Sequence, residues 1–295
     1  MTETIQKQET TLPVDHAVVM PAFVERSHLI VHDLPAVSAW YQRIIGLSPI
    51  ETGMSGVTLG VAGRPLLTLT SDGSAAKAPR NAPGLFHHAF LVPDREQLGR
   101  WLVHAAANDV RLQGASDHLV SEAIYLADPE GNGIEIYRDR PREEWRYQTD
   151  GMVEMNTLPL DLQALYDEAP KGDWSGLAAG TTIGHIHLQV SDIPEADAFF
   201  RDVLGLDLMA RYPGASFFAT GRYHHHVAAN IWNSRRAPKR QGNMTGLADY
   251  TIRFRDAKRH AAALRKLDAL EIAVSVEDGV HRLTDPWGLG LKLAV

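Results

Sequence analysis

A repeated pattern of strand, aspartate turn and helix is the feature that most constrains how this chain can fold. The stretch HLIVHDLPAVSAWYQRIIGL, which ends at Leu47, reappears as HLQVSDIPEADAFFRDVLGL, which ends at Leu206. In each stretch, alternating apolar residues typical of a strand precede an Asp, an amphipathic helix and a closing Leu-Gly-Leu. Self-similarity of this kind predicts that one supersecondary unit occurs more than once.

A second pair of segments extends the repeat. AFLVPDREQLGRWLVHAAANDV follows His88 and YTIRFRDAKRHAAALRKLDAL begins at Tyr250, and both again predict a strand, an Asp turn and a helix rich in Ala and Leu. Downstream, AIYLADPEGNGIEIY and VHRLTDPWGLGLKLAV each predict two strands joined by a tight Asp-Pro turn. The sequence therefore predicts an α+β fold built from four βαβββ units.

The units suggest a division of the chain into two domains of ordinary size. We expect a flexible tail at 1–20, a first domain at 21–140 with units at 22–75 and 82–140, a linker at 141–180, and a second domain at 181–295 with units at 182–235 and 245–295. The linker mixes charged, Pro and Gly residues but includes an apolar run from Leu160 to Tyr166, which predicts one short helix.

Composition excludes several classes of function. The chain has no cysteine, so any metal must be bound by His, Asp or Glu. The net charge is −7 and no dense Lys/Arg cluster occurs, which argues against a nucleic-acid partner. No apolar run approaches the ~20 residues that span a membrane, and the pattern of the polar N-terminus does not predict a secretory signal. We therefore expect a cytoplasmic protein, in which the 14 histidines are the unusual feature.

The four units resemble the vicinal oxygen chelate superfamily, which includes glyoxalase I, bleomycin-resistance proteins and type I extradiol dioxygenases. The segments GLFHHAFLVP, QGASDHLVSEAIYLADPEGNGIEIYRDRP, IGHIHLQVSD and YHHHVAANIWNS are most similar to bacterial catechol-2,3-dioxygenases. The resemblance covers residues 22–295 and implies half-barrel domains, each made from two units, that surround one divalent metal. It further implies a dioxygenase that opens catechol or a substituted catechol with O2 at Fe(II), with Mn(II) as the alternative metal.

The resemblance also implies where the metal ligands lie. In that superfamily one ligand stands on the first strand of a unit, seven residues before the turn Asp, and another on the last strand. These positions hold His87 and Glu135 in unit two and His185 in unit three. The corresponding positions in units one and four hold Arg26, Asp249 and Lys292.

The ligand set is complete only if units two and three share one half-barrel. We expect this pairing, because a cationic Arg or Lys directed into a shared pocket repels a divalent ion. Units one and four would then form a partner half-barrel without a metal. Pairing in chain order remains the alternative, in which His28 would replace Arg26. A shift of register by one residue would make His88 the ligand in place of His87.

Ring opening also requires groups that accept and donate protons, for which histidine is well suited. Comparison with extradiol enzymes selects His225 in the run YHHHVA as the acid/base residue, and Tyr125 with His118 as groups near the bound substrate. The remaining candidates for the substrate pocket are His187, His224 and His226. The alternative for the histidine run is a surface segment that binds metal adventitiously. The alternative for Tyr125 is an ordinary aromatic residue of a strand.

Two other functions are compatible with the superfamily. A glyoxalase-like isomerase or lyase would need a second carboxylate for proton transfer, and YHHHVAANIW offers none in unit three. A non-catalytic protein of the bleomycin-resistance kind would lack the metal ligands. The partners expected for the dioxygenase are a small aromatic diol and O2, with a homo-oligomer also possible.

Overall fold

The repeated aspartate begins a helix in every unit of the computed structural model, which describes residues 17–295. Its carboxylate accepts hydrogen bonds from backbone N–H groups of the first helical turn, at Asp33, Asp94, Asp192 and Asp256. These donors have no partner within the helix, so the cap stabilises each helix start. The Asp turns inferred from the repeat are therefore N-caps.

In chain order the strands are β1 (Ala22–Val31), β2 (Ser48–Thr52), β3 (Gly56–Val61), β4 (Arg64–Ser71), β5 (Gly84–Leu91), β6 (Gly114–Asp117), β7 (Ser121–Ala127), β8 (Gly133–Asp139), β9 (Leu158–Pro159), β10 (Thr182–Gln189), β11 (Asp207–Tyr212), β12 (Ala215–Ala219), β13 (Val227–Asn230), β14 (Gly246–Phe254), β15 (Ser275–Glu277), β16 (Val280–Thr284) and β17 (Gly290–Ala294). The helices are α1 (Leu34–Trp40), α2 (Arg95–Ala107), α3 (Leu162–Glu168), α4 (Ile193–Asp197) and α5 (Ala257–Ala269). Helices α1 and α4 continue into π-helical turns at Tyr41–Ile45 and Ala198–Val203. The predicted α+β class, with two curled sheets and few helices, is confirmed.

The strands form two sheets, and each sheet combines units that are not in the same half of the chain. One has the order β15-β16-β17-β14-β1-β4-β3-β2, and the other β11-β12-β13-β10-β5-β8-β7-β6-β9. Antiparallel pairing of β1 with β14 joins units one and four, and pairing of β5 with β10 joins units two and three. The expected domains at 21–140 and 181–295 group the units in chain order. The observed sheets instead join unit one to unit four and unit two to unit three.

Strand alternation separates the concave face of the nine-stranded sheet from its packed face. On β8, Ile134 and Ile136 are fully buried in the hydrophobic core, and Glu135 between them points to the other side. The same core includes Leu29 on β1 and Ile186 on β10, because these two strands lie against each other. The core thus connects the two sheets and lies opposite the strand face that carries Glu135.

The linker is part of the packed structure. Helix α3 lies within and just beyond the apolar run that predicted it and packs against α2, while β9 extends the nine-stranded sheet beside β6. Residues 17–20, expected in a flexible tail, instead include a 3-10 turn at Ala17–Val19, and the Ala17 and Met20 side chains are buried. The rest of the expected tail, 1–16, lies outside the described residues. No helix within residues 17–295 is long and apolar enough to cross a membrane.

Candidate functional site

Three buried side chains meet on the concave face of the nine-stranded sheet. Because β5 lies between β8 and β10, it brings His87 between Glu135 on β8 and His185 on β10. Glu135 Oε2 lies 3.0 Å from His87 Nε2 and 3.1 Å from His185 Nε2, and the two nitrogens are 3.3 Å apart. The three residues implied by the resemblance therefore converge on one point.

The spacing of these atoms matches the coordination of one ion. Ligand atoms at about 2.1 Å from a metal and at right angles to each other are about 3 Å apart. All three donors lie within 4.8 Å of one another, and their side chains are almost entirely buried. Two imidazoles and one carboxylate on one side of an ion leave its other positions open for small molecules. The residues present fit a divalent transition metal.

The electrostatics of the cluster favour a cation. Burial alone would raise the pKa of Glu135, but His185 and His87 lower it well below the ordinary value of a carboxyl group. Burial lowers the pKa of His185 to about 4, even though Glu135 opposes the shift. A charged Glu135 carboxylate beside a neutral His185 imidazole is a protonation state suited to metal binding, and a buried anion is stabilised by a bound cation.

A cavity of about 480 Å³ opens beside the cluster. It is mainly apolar, and His87 and Glu135 are among the polar residues that line it. Its walls include Phe86, Tyr125, His187 and Phe217 from strands, His225 and Trp232 from the segments before and after β13, and Gln148, Met152, Met155 and Asn156 from the linker. An apolar cavity with a few converging polar groups is typical of a small-molecule site.

Tyr125 and His118 form a hydrogen-bonded pair at the wall of this cavity. The His118 Nε2 atom lies 2.6 Å from the Tyr125 hydroxyl, and its Nδ1 donates to the backbone oxygen of Asn156 at 2.7 Å. Tyr125 stands opposite Glu135 in the pairing of β7 with β8. Burial, followed by the charge of Glu135, raises the pKa of Tyr125 well above 10, so the phenol keeps its proton.

The histidine run divides between the cavity and its surroundings. His225 lines the cavity, and its ring lies 4.0 Å from that of His185, centroid to centroid. His224 and His226, named above as candidates for the substrate pocket, do not line it. His224 Nε2 binds Asp139 at 2.9 Å and His226 Nε2 binds the Ala17 carbonyl at 3.1 Å, so both rings point away from the cavity.

His187 on β10 and His88 on β5 have different surroundings. His187 lines the cavity, and its Nε2 accepts a hydrogen bond from Asn230 at 2.9 Å. His88 is fully buried on the opposite face, where it contacts Ser27 and Tyr41 at 2.9 and 3.1 Å. Since His87 rather than His88 faces Glu135, the alternative register is excluded.

The eight-stranded sheet carries an ion-pair cluster where the other sheet has His87 and Glu135. Asp249 and Lys292 stand at the register positions of His87 and Glu135, and their side chains form an ion pair at 2.7 Å. His28 lies 2.8 Å from the other Asp249 oxygen. His28 is therefore far from Glu135 in the fold, contrary to what pairing in chain order requires.

Some contributors to the site were missed by the sequence analysis. Asp139 shares a strand face with Glu135, because side chains alternate along β8, and this spacing could have identified it. Asn156, Met152 and Met155 come from the linker, where no periodic pattern indicated a role in the cavity. Their contribution depends on how the linker folds back over the sheet.

Gly184, next to His185, provides a test of the packing around the site. A Cβ atom at Gly184 would overlap the hydroxyl of Tyr137, whose ring contacts that of His185. We expect Gly184→Ala to lower the free energy of unfolding by ~1–3 kcal/mol, as overpacking of a core does. Chemical denaturation measures this change. Gly114→Ala is the matched control, because nothing lies within 4 Å of an added Cβ there. Equal stabilities of the two variants would contradict the close approach.

Comparison with known proteins gives consistent matches. The profile of the glyoxalase/bleomycin resistance protein/dioxygenase superfamily matches residues 14–136 and 182–291. A catechol-2,3-dioxygenase of Bacillus subtilis is 37% identical over 262 residues, which cover 88% of this chain and 92% of that protein.

Solved structures of low sequence identity share the fold. A structure titled as a putative dioxygenase from Bacillus subtilis has a TM-score of 0.63 at 12% identity and covers 92% of this chain and 84% of its own. Glyoxalase I from Zea mays has a TM-score of 0.57 at 14% identity, with 94% and 93% covered. These two similarities concern the fold alone.

Proposed function

Because the chain belongs to the glyoxalase/bleomycin resistance protein/dioxygenase superfamily, we propose that it is an extradiol-type dioxygenase that opens the ring of a catechol with O2. The observation that carries the proposal is the buried cluster of His87, Glu135 and His185 beside an apolar cavity. Two histidines and one carboxylate are the ligand set of non-haem Fe(II) oxygenases, so Fe(II) is the proposed metal and Mn(II) the alternative. The catechol-2,3-dioxygenase relative supports the substrate class.

His87, Glu135 and His185 would hold the metal, which would bind the diol together with O2 and allow electron transfer between them. The residues of the chain manage the protons. His225 Nδ1 is hydrogen bonded to His224 at 2.7 Å, so Nε2 is the atom that can accept the proton of a diol hydroxyl. Burial, followed by the nearby His185, lowers the pKa of His225 well below 6.5, which keeps the ring neutral and able to accept.

Tyr125 is the second group that acts on the substrate. Because His118 Nδ1–H donates to the Asn156 carbonyl, the protonated Tyr125 hydroxyl donates to His118 Nε2, and its oxygen can accept a hydrogen bond from a substrate hydroxyl near Glu135. His118 orients this hydroxyl, and the Asn156 carbonyl in turn orients His118. The apolar walls of the cavity exclude water from the reacting groups, which strengthens each of these interactions.

The cavity also suggests which catechols fit. A volume of about 480 Å³ lies within the range of ~300–1,000 Å³ that accommodates ligands larger than one aromatic ring. Met152, Met155 and Phe217 present apolar surface on its walls. We therefore propose that a substituted catechol with an apolar group is a better substrate than catechol itself.

The test is oxygen uptake by protein reconstituted with Fe(II) without oxygen, measured with catechol and with alkyl, aryl and carboxylate derivatives. We expect uptake with diols, and a higher kcat/KM for the apolar derivatives. A glyoxalase-like activity without oxygen uptake would overturn the proposal. That chemistry needs a second carboxylate, and among residues 17–295 the metal-binding cluster has Glu135 alone. Absence of bound metal would instead favour a binding protein.

Removal of the metal is expected to abolish activity and leave the fold intact. The two sheets share a core of large buried side chains, including Trp101, Trp287 and Phe200, which does not involve the metal ligands. Circular dichroism of chelated protein should therefore match that of the metal-bound protein. The thermal midpoint should rise as Fe(II) or Mn(II) is added, because a ligand that binds only the folded state stabilises it. Global unfolding on chelation would make the site structural.

A further inference from the structure

Asp139 lies in the wall of a second cavity and not in the wall of the first. It ends β8, on the same strand face as Glu135 and Tyr137, and its side chain is 21% exposed. The second cavity has a volume of about 270 Å³, and its walls also include Arg95, Arg140 and Trp145. The proposed mechanism assigns no role to this carboxylate.

A chain of hydrogen bonds connects Asp139 to the first cavity. One carboxylate oxygen lies 2.9 Å from His224 Nε2, and His224 Nδ1 lies 2.7 Å from His225 Nδ1. The other oxygen accepts from the Tyr223 hydroxyl at 2.8 Å. The His224 side chain is fully buried, with its ring packed between those of Tyr223 and Trp145. Packing and hydrogen bonds therefore hold His224 in one orientation.

The hydrogen bond between Asp139 and His224 sets the direction of the one between His224 and His225. A carboxylate only accepts, so His224 Nε2 carries the hydrogen, and a neutral imidazole then has a bare Nδ1. His225 must donate from its own Nδ1 to that atom. We propose that Asp139, acting through His224, positions His225 and fixes the tautomer that directs a bare Nε2 into the cavity.

The consequence for turnover depends on the proposed function, since a bare Nε2 is the form that accepts a proton from the diol. The tautomer itself does not depend on that function. If Asp139 were absent, His224 could reverse its hydrogen bond, and His225 would then present Nε2–H to the cavity. Asp139 and His224 are thus positioning residues, because neither contacts the first cavity.

The first test measures the tautomer in metal-free, full-length protein labelled with 15N-histidine. Two-bond 1H–15N correlation spectra distinguish a bare ring nitrogen from one that carries hydrogen, and loss of a signal in His225→Gln identifies His225. We expect Nδ1–H and a bare Nε2 in the parent protein. In Asp139→Leu or His224→Phe this pattern should be lost, whereas His226→Gln should preserve it. Nε2–H in the parent, or one pattern in all variants, would overturn the proposal.

The second test separates positioning from simple loss of structure. In Fe(II)-loaded protein, His224→Phe should lower kcat by ~10–100-fold with KM and metal content nearly unchanged. His224→Asn should recover part of kcat, because its amide oxygen can accept from His225 where Nδ1 did. Loss of metal, or equal kcat values for the Phe and Asn variants, would contradict the role. If the parent turns over no diol, the proposed function fails while the spectra still decide the tautomer.

Discussion

Glu135→Gln is expected to abolish turnover and to lower metal affinity by more than ~10²-fold, since loss of even an outer partner of a metal ligand typically costs ~10–100-fold. The amide has nearly the shape of the carboxylate but no charge. Glu135 Oε2 contacts both imidazole nitrogens, at 3.0 and 3.1 Å, so it is the anionic member of the cluster. Metal content after anaerobic loading and oxygen uptake with a catechol measure the two effects.

The eight-stranded sheet supplies a matched control. Lys292 stands opposite Thr251 in β14, just as Glu135 stands opposite Ala89 in β5. Lys292→Gln likewise replaces one charge by an amide at the equivalent register position, where it leaves Asp249 paired with His28. This variant should bind metal and turn over substrate as the parent does. Retention of metal by Glu135→Gln would show that the carboxylate is not a ligand.

His225→Ala is expected to keep the metal and to lose turnover by ~10²-fold or more, as removal of a general acid/base does. The ring lines the cavity beside His185, and its Nε2 is the atom available to the substrate. Steady-state oxygen uptake at saturating diol measures kcat, and metal analysis verifies loading.

The neighbouring histidine is the control for this variant. His226 belongs to the same buried run but binds the Ala17 carbonyl and does not line the cavity. In His226→Gln the amide can donate to that carbonyl, so activity should remain close to that of the parent. Loss of metal in His225→Ala would make His225 a ligand and would favour a glyoxalase-like site. Equal losses in both variants would indicate a structural effect of the whole run.

Local patterns in the sequence were sufficient for the α+β fold and the four units, and the resemblance of its motifs was sufficient for the superfamily; all three are confirmed. The reason is that caps and alternation act over a few residues. Asp33 and Asp192 each cap the helix that follows, and Glu135 alternates with the isoleucines on either side. The resemblance to the superfamily marked His87, Glu135 and His185 as candidate ligands, and their role in metal binding is part of the proposal.

Only the tertiary structure decided which units share a sheet. The sequence favoured joining units two and three but left the chain-order arrangement open, because strand pairing across the linker is an interaction between distant segments. The pairing of β5 with β10 brings His87 to His185 and separates both from His28. Loop-closure cost depends only weakly on linker length, so the length of 141–180 could not distinguish the two arrangements.

The surroundings of the site also depended on the tertiary structure. The links from Asp139 to His224 and from Asn156 to His118 join residues that are far apart in sequence and follow no common period. The sequence by itself determined the repeated units, since short-range geometry governs them, and it supplied the residue types at the ligand positions that the resemblance implies. The tertiary structure decided which units meet, how the linker closes the cavity and which histidine faces it, because packing between distant segments governs all three.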